Sequence, residues 1–159
     1  MKCYIAIGLL IIGVSTTASA YTYQENFSKP VVKIQRYFVF DPHRNYWVAY
    51  ENNREIRSGI GNGGAPGGHE TPMGVYRILD KKGPNYRSHQ YPINPDGTRG
   101  GAEMPYAMHF TNSGHAIHGS PGISKQNTSH GCIRVKMGDA KWLNEYFMTP
   151  GSKVIVYRY

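Results

Sequence analysis

The stretch N-T-S-H-G-C-I-R-V, residues 127–135, contains the one cysteine that follows the apolar leader of this 159-residue chain. The other cysteine, Cys3, lies inside that leader. Compartments outside the cytoplasm oxidise thiols, so most cysteines of exported proteins are paired. An unpaired Cys132 in an exported chain therefore indicates a bridge to another chain, an inert buried thiol or a reactive group.

Residues 1–20 have the pattern of a secretory signal peptide. Lys2 precedes an apolar run that ends at Val14, and Ala18-Ser19-Ala20 provides a small-residue cleavage site. The run is shorter than the roughly 20 residues that a membrane-spanning helix needs. We expect export to the periplasm or cell envelope and no stable membrane insertion after cleavage. A lead-in at 21–30 and one domain at 31–159 would follow.

The formal net charge of +8 favours an anionic partner. The basic residues are scattered along the chain and form no dense run or helical stripe. This distribution argues against nucleic acid as the partner. A carboxylate-rich cell-wall polymer and a membrane surface both suit the charge, and general solubility explains it equally well.

Short β-branched and aromatic segments predict a mostly β domain with one clear helix near the C-terminus. The predicted strands cover residues 31–35, 37–40, 45–50, 55–60, 75–79, 106–110, 115–118 and 153–157. Asn52-Asn53 predicts a hairpin between the third and fourth of these strands. The helix is predicted over residues 140–148, with Asp139 as its N-cap. Its core face would be formed by Trp142, Leu143, Tyr146 and Phe147.

Two loops differ in what their composition predicts. Residues 61–68 are rich in glycine but lack the Gly-Lys-Ser/Thr ending of a phosphate-binding loop, so we expect a plain flexible loop. Residues 80–105 are polar and too long for a simple connection in a small domain. Because this second loop also carries Tyr86 and Tyr91, we interpret it as a substrate-binding lid, with a passive surface loop as the alternative.

The neighbours of Cys132 favour a nucleophile. Gly131 leaves room for a substrate carbonyl beside successive backbone N–H groups, as an oxyanion hole requires. An inert cysteine usually lies in an apolar strand, whereas the approach to this one is polar. A thiol needs a nearby base to become a thiolate at neutral pH. His118 ends an apolar strand and can approach Cys132 from across the site. His130 is only two residues from Cys132, which leaves little room for its side chain to reach the thiol.

A zinc site is a rival interpretation, because zinc favours nitrogen and sulfur ligands. Its ligands would come from His109, His115, His118, His130 and Cys132. Against it, the set lacks H-E-x-x-H or C-x-x-C spacing, and no carboxylate lies between Glu103 and Asp139 to act as a base. We expect no metal and no cofactor, and structural or solvent-exposed positions for His109 and His115.

The paired blocks His118-Gly119-Ser120 and Ser129-His130-Gly131-Cys132-Ile133-Arg134 resemble the signature of the YkuD-type L,D-transpeptidases. The resemblance extends from about Val31 to Tyr157 and implies a single β-sandwich-like catalytic domain. It implies that Cys132 is the nucleophile, that His118 donates and accepts protons, and that the Gly119 carbonyl orients His118. The implied oxyanion hole consists of the backbone N–H groups of His130, Gly131 and Cys132. The implied substrate contacts are Arg134, Ser129 and Tyr106.

The resemblance also implies an activity on peptidoglycan. Cys132 would attack a tetrapeptide stem, form a thioester, and pass the acyl group to an amine of another stem as a 3-3 crosslink. An L,D-carboxypeptidase, an enzyme that attaches or releases wall-linked proteins, and a non-catalytic peptidoglycan-binding domain remain alternatives. For Arg134, an ion pair with Asp139 or Glu145 is the alternative to a role in the site.

Overall fold

The computed structural model describes residues 34–159. Its strands are β1 Arg36–Asp41, β2 Tyr46–Glu51, β3 Arg54–Asn62, β4 Gly74–Arg77, β5 Asp80–Lys81, β6 Met108–His109, β7 Ala116–Ser120, β8 Ile133–Lys136 and β9 Lys153–Val156. One helix of this part of the chain, α1 (Met137–Trp142), continues into a π-helical turn at Leu143–Phe147. The prediction of a mostly β fold with one helical segment near the C-terminus is confirmed.

The strands form one continuous hydrogen-bonded order, β4-β9-β1-β2-β3-β8-β7-β6-β5. The pairs β1–β9 and β7–β8 are parallel, and the other pairs are antiparallel. Phe38 and Trp47 from one half of this order share a buried cluster with Ile117 and Val135 from the other half. The sheet therefore curls over one core, as in a sandwich.

The predicted hairpin is present between β2 and β3. Asn52 and Asn53 have φ angles of 50° and 64°, the left-handed values that a two-residue turn between twisted strands requires. Further along the hairpin, fully buried Trp47 pairs with Gly59. A Cβ on that glycine would lie 3.1 Å from the indole Nε1, so a side chain there would crowd the ring.

Several predicted element boundaries need correction. The predicted signal peptide, the lead-in and residues 31–33 of the first strand lie outside the described residues, while Ile34 and Gln35 are not in a strand. The strand predicted at 75–79 ends at Arg77, where the chain turns towards β5. No helix in residues 34–159 combines the length and the apolar character needed to cross a membrane.

The helix begins earlier than predicted, and Asp139 is not its N-cap. Lys136 occupies that position without a capping side-chain hydrogen bond, and the Asp139 carboxylate lies 2.6 Å from Arg57 Nη2 in an ion pair. The prediction was wrong because the pairing partner of Asp139 comes from β3, far away in sequence. Tyr146 is also wrongly predicted to face the core, since its side chain is 67% exposed.

The π-helical turn explains why the buried face of this helical segment differs from the predicted one. Met148 N donates to Leu143 O at 2.7 Å, a wider hydrogen-bonded turn than in an α-helix. The wider turn directs Asn144 inward, where its amide nitrogen lies 3.2 Å from Lys82 O and 3.1 Å from Tyr106 O. Asn144 thus ties both ends of the long loop to the helical segment.

We predict that Asn144→Ala lowers the free energy of unfolding by about 1–3 kcal/mol, because buried carbonyl oxygens lose their donor. Urea unfolding of purified protein measures this loss. Tyr146→Ala is the matched control on the same segment, and we expect a change within about 0.5 kcal/mol. Equal effects of the two substitutions would contradict the proposed tie.

Candidate active site

The parallel pairing of β7 with β8 brings His118 and Cys132 to one face of the sheet. Ile117 is paired with Ile133, and His118 with Arg134. Side chains alternate between faces along a strand, so the two buried isoleucines face the core and His118 and Arg134 face the other side. Cys132 lies one residue before β8 and therefore shares the face of His118.

The buried imidazole of His118 has a fixed orientation. Its Nδ1 lies 2.9 Å from Gly119 O, the contact that the family resemblance implies. Since a carbonyl oxygen only accepts hydrogen bonds, Nδ1 carries the hydrogen and the neutral ring leaves the Nε2 lone pair free. Burial lowers the pKa of His118 to about 4, so the ring is a neutral base at neutral pH.

The Cys132 thiol is also neutral in its resting position. Burial raises its pKa, and a hydrogen bond with Ala116 and the charge of Arg134 only partly oppose that effect. The sulfur lies 3.9 Å from Gly114 O, within the range of a weak S–H hydrogen bond. The resting cavity therefore holds a neutral thiol and a neutral imidazole, and no thiolate–imidazolium pair is formed in advance.

The position of Gly119 depends on the absence of a side chain. A Cβ there would lie 2.8 Å from Met137 Sδ and 3.2 Å from Ala140 Cβ, both on α1. The Gly119 N–H donates to Pro105 O at 2.9 Å. Helix packing and this hydrogen bond thus hold the strand whose carbonyl orients His118.

His118 and Cys132 line a cavity of about 310 Å³. The turn before β7 forms one wall of this cavity, and the long loop forms another, through Ser88, Gln90, Tyr91, Ala102, Glu103 and Met104. The Tyr91 ring stacks on His130, with ring centroids 4.5 Å apart. The long loop therefore covers the site and directly contacts residues 129–132, the segment that carries Cys132 and is called the catalytic loop below.

The comparisons with known proteins agree with this arrangement. The family model for the YkuD L,D-transpeptidase catalytic domain matches residues 35–156. The chain belongs to this family. A curated relative, the probable L,D-transpeptidase 3 of Mycobacterium tuberculosis (strain ATCC 25618 / H37Rv), is 33% identical over 82 residues, which are 46% of this chain and 30% of the relative.

Solved L,D-transpeptidases have the same fold. The enzyme from Mycobacterium smegmatis superposes with a TM-score of 0.68 at 22% identity, over 79% of this chain and 59% of that one. L,D-transpeptidase 3 from Mycobacterium tuberculosis gives a TM-score of 0.67 at 22% identity, over 79% of this chain and 62% of that one. The chain thus spans about three fifths of the length of these solved relatives.

Ser129 holds the catalytic loop of this L,D-transpeptidase domain together. Its N–H donates to Gly63 O at 3.0 Å, and its carbonyl accepts from Ala65 N at 2.9 Å. Its hydroxyl donates to Cys132 O at 2.6 Å and accepts from Gly131 N at 3.1 Å. Ser129 also lines the cavity, but these hydrogen bonds indicate that it supports the loop around Cys132. The Gly131 N–H of the expected oxyanion hole is already engaged.

The loop predicted to be plain and flexible is partly a buried support. Gly61 and Asn62 belong to β3, and Gly63 and Gly64 are buried. A Cβ on Gly64 would lie 2.9 Å from Gly131 Cα, so a side chain there would displace the catalytic loop. The prediction failed because glycine marks both flexible chain and close backbone approach, and local sequence does not distinguish them.

Three supporting residues were missed at the sequence level. The Asn62 side-chain amide donates to the carbonyls of Ser124 and Gln126, and Asn127 Oδ1 accepts from Gly63 N at 2.7 Å. The Tyr159 hydroxyl donates to Gly64 O at 3.0 Å and accepts from Thr71 N at 3.0 Å. The asparagines flanking the glycines were a weak signal, whereas nothing in the local sequence points to Tyr159.

Arg134 lines the cavity beside His118. The alternative partners are engaged elsewhere, since Asp139 pairs with Arg57 and Glu145 lies 3.3 Å from Lys141 Nζ. Tyr106, expected to contact substrate, does not line the cavity. Its ring lies against α1, with Lys141 Nζ 5.7 Å from the ring centroid.

The other two histidines of the region differ in their surroundings. His109 Nδ1 lies 2.6 Å from Asp80 Oδ1, which joins β5 to β6 away from the cavity. His115 lines the cavity, and its Nδ1 contacts Thr111 Oγ1 at 2.9 Å. Within residues 34–159, no three His, Cys, Asp or Glu side chains gather in a metal-binding arrangement.

The pKa of His118 predicts a loss of stability in acid. The unfolded ring titrates near its ordinary pKa of 6.5 and the folded ring near 4, so between these values the unfolded state binds more protons. Stability from this group is full above pH 6.5 and is lost as pH falls to about 4, by an amount on the order of 3 kcal/mol. Urea unfolding from pH 7 to 4 measures the loss, and His118→Gln should flatten that part of the profile.

We predict that Tyr159→Phe lowers the free energy of unfolding by about 1–2 kcal/mol, because the buried loop loses a hydroxyl that acts as both donor and acceptor. Thermal unfolding compares this variant with Tyr157→Phe, whose side chain is 52% exposed. An unchanged Tyr159→Phe midpoint would show that the C-terminal hydroxyl does not support the loop.

Proposed function

We propose that the chain is an exported cysteine L,D-transpeptidase that forms 3-3 crosslinks in peptidoglycan. Cys132 would be the nucleophile, and His118 would move the protons. The observation that carries this proposal is the shared face and cavity of these two side chains, with His118 Nδ1 held by the Gly119 carbonyl. Family membership supports the reaction type.

In the first step, His118 acts as a general base during attack. Its Nε2 accepts the thiol proton as Cys132 Sγ forms a bond to the acyl carbon of a tetrapeptide stem. A neutral starting pair suits this order, because the proton leaves the thiol only when the substrate is in place. His118 then gives the proton to the departing amine of the terminal D-alanine, the C–N bond breaks, and a thioester remains.

The cavity contains groups suited to the donor stem. The guanidinium of Arg134 can bind the terminal carboxylate of the tetrapeptide as a bidentate partner. The backbone N–H groups of His130 and Cys132 are the candidates for stabilising the oxyanion, as Gly131 N donates to Ser129. The cavity volume of about 310 Å³ suits the end of one stem, with the rest of the substrate outside.

In the second step, the amine of another stem replaces the sulfur. His118 removes a proton from this amine as its nitrogen attacks the thioester carbon, and the released thiolate regains a proton. We propose that residues 80–105 act as a lid, since this loop lines the cavity that holds Cys132 and stacks Tyr91 on His130. Excluding water from the thioester would favour transfer over hydrolysis.

The export part of the proposal is supported by the sequence. Residues 1–20 have the signal-peptide pattern, and peptidoglycan lies outside the cytoplasm. The positive charge of the chain suits a polymer whose stems carry carboxylates. We therefore propose the periplasm or cell envelope as the location.

A purified disaccharide-tetrapeptide tests the activity directly. Incubated with the protein, it should give crosslinked dimers and free D-alanine, and intact-protein mass spectrometry should detect the thioester on Cys132. Cys132→Ala should abolish both, because no other thiol lies in residues 34–159. Cys132→Ser is the matched control and should be folded but much slower, since a hydroxyl is harder to deprotonate.

The products separate the proposal from its alternatives. Tripeptide without dimers would show that water is the acceptor and that the protein is an L,D-carboxypeptidase. An intact tetrapeptide that binds equally to wild type and Cys132→Ala would show a non-catalytic binding domain. Dimers that form in the Cys132→Ala variant would disprove the role of the thiol.

A further inference from the structure

One edge of the His115 ring lies against Gly131 of the catalytic loop. A Cβ on Gly131 would lie 2.5 Å from His115 Cδ2 and 2.6 Å from Nε2, so this edge occupies the space where a side chain would project. Gly131 has a φ of 106°, which only glycine adopts without strain. The backbone beside Cys132 and the His115 ring thus fit each other closely.

The opposite edge of the ring is fixed by hydroxyl groups. His115 Nδ1 lies 2.9 Å from Thr111 Oγ1 and 3.0 Å from Ser113 Oγ. Thr111 Oγ1 also accepts the backbone N–H of His115 at 3.0 Å, and the Phe110 ring stacks on the imidazole with centroids 6.3 Å apart. Two edges and one face of the ring therefore have defined neighbours, which favour one orientation.

The hydroxyl groups at Nδ1 can donate or accept, so they admit either tautomer of the ring. When a hydroxyl hydrogen of Thr111 or Ser113 is donated to the Nδ1 lone pair, the ring hydrogen lies on Nε2. Burial lowers the pKa of His115, so the ring stays neutral at neutral pH. In that tautomer, the edge against Gly131 presents an N–H donor without a positive charge.

A donor from a side chain would add to the backbone N–H groups of the catalytic loop. Gly131 N–H donates to Ser129 Oγ at 3.1 Å and is directed into the loop's own support. One backbone donor expected near the thiol is thus engaged in the resting structure. His115 and Cys132 line the same cavity, and the adjacent Gly114 contacts the sulfur through its carbonyl.

We propose that His115 Nε2–H is a side-chain donor to the acyl oxygen of the bound stem peptide, and that it strengthens the oxyanion hole as negative charge develops there. The proposal rests on the proposed acyl-transfer function and deepens it. No proton is transferred by His115. The ring donates one hydrogen bond while the Cys132 S–C bond forms, and it donates again when the thioester is attacked.

Three substitutions separate a donor at Nε2 from a packing role. His115→Gln places an amide N–H near the position of Nε2, whereas His115→Asn places its amide near Nδ1 and falls short of Gly131. His115→Phe keeps the ring volume without any donor. The measurement is the single-turnover rate of thioester formation at saturating disaccharide-tetrapeptide, followed by intact-protein mass spectrometry, with the KM for the donor stem and the thermal unfolding midpoint of each variant.

We expect His115→Phe and His115→Asn to lose about 100-fold in the acylation rate, the scale of one oxyanion donor, with little change in KM. His115→Gln should recover most of that loss. If His115 only packs against the loop, the acylation rate should depend on ring volume. His115→Phe would then be the mildest variant, and the rates would correlate with the unfolding midpoints.

Wild-type rates in both Phe and Asn variants would overturn the proposal, as would an equal loss in all three variants. These outcomes leave the proposed function intact, because the wild-type protein still forms the thioester. A wild-type protein that forms no thioester with the tetrapeptide would overturn the proposed function, and the role of His115 with it.

Discussion

The parallel pairing of β7 with β8 is the constraint on which the rest of the site depends. Its register places His118 and Cys132 on one face, and a shift by one residue would send one of them into the core. Parallel neighbours need a long crossover, usually a helix. Here residues 121–132 make the connection without a helix in the described structure. A crossover without internal regular structure must be held by contacts from elsewhere.

Those contacts come from the last residue of β3 and the segment that follows it. Asn62 donates to carbonyls of the crossover, while Gly63 and Ala65 exchange backbone hydrogen bonds with Ser129. This segment is in turn held by the hydroxyl of Tyr159 at the end of the chain. The glycine run thus lets two backbones approach closely, and the position of Cys132 depends on side chains far away in sequence.

The sequence patterns singled out His118 and Cys132, which the fold brings to one cavity, but they did not reveal the residues that support this site. The blocks around His118 and Cys132 are local patterns, and the Asn52-Asn53 turn follows from local backbone preference. Asp139 was misplaced because a carboxylate near a helix start suits both a cap and a distant cation, and only the fold brings Arg57 near. The predictions for residues 61–68, Tyr106 and Tyr146 were wrong for the same reason, because tertiary packing decides whether these residues are exposed.

The cavity therefore has two kinds of wall with different physical origins. One wall carries the imidazole on a paired strand, whose geometry is fixed by backbone hydrogen bonds and core packing, with the thiol on the crossover directly before β8. The rest of the lining comes from the long loop and the turn at residues 111–115, whose shape depends on side-chain contacts such as Tyr91 on His130 and Thr111 on His115. Chemistry needs fixed distances between reacting groups, whereas binding tolerates adjustment. Changes in the second wall can thus alter the shape of the cavity while Cys132 and His118 keep their positions.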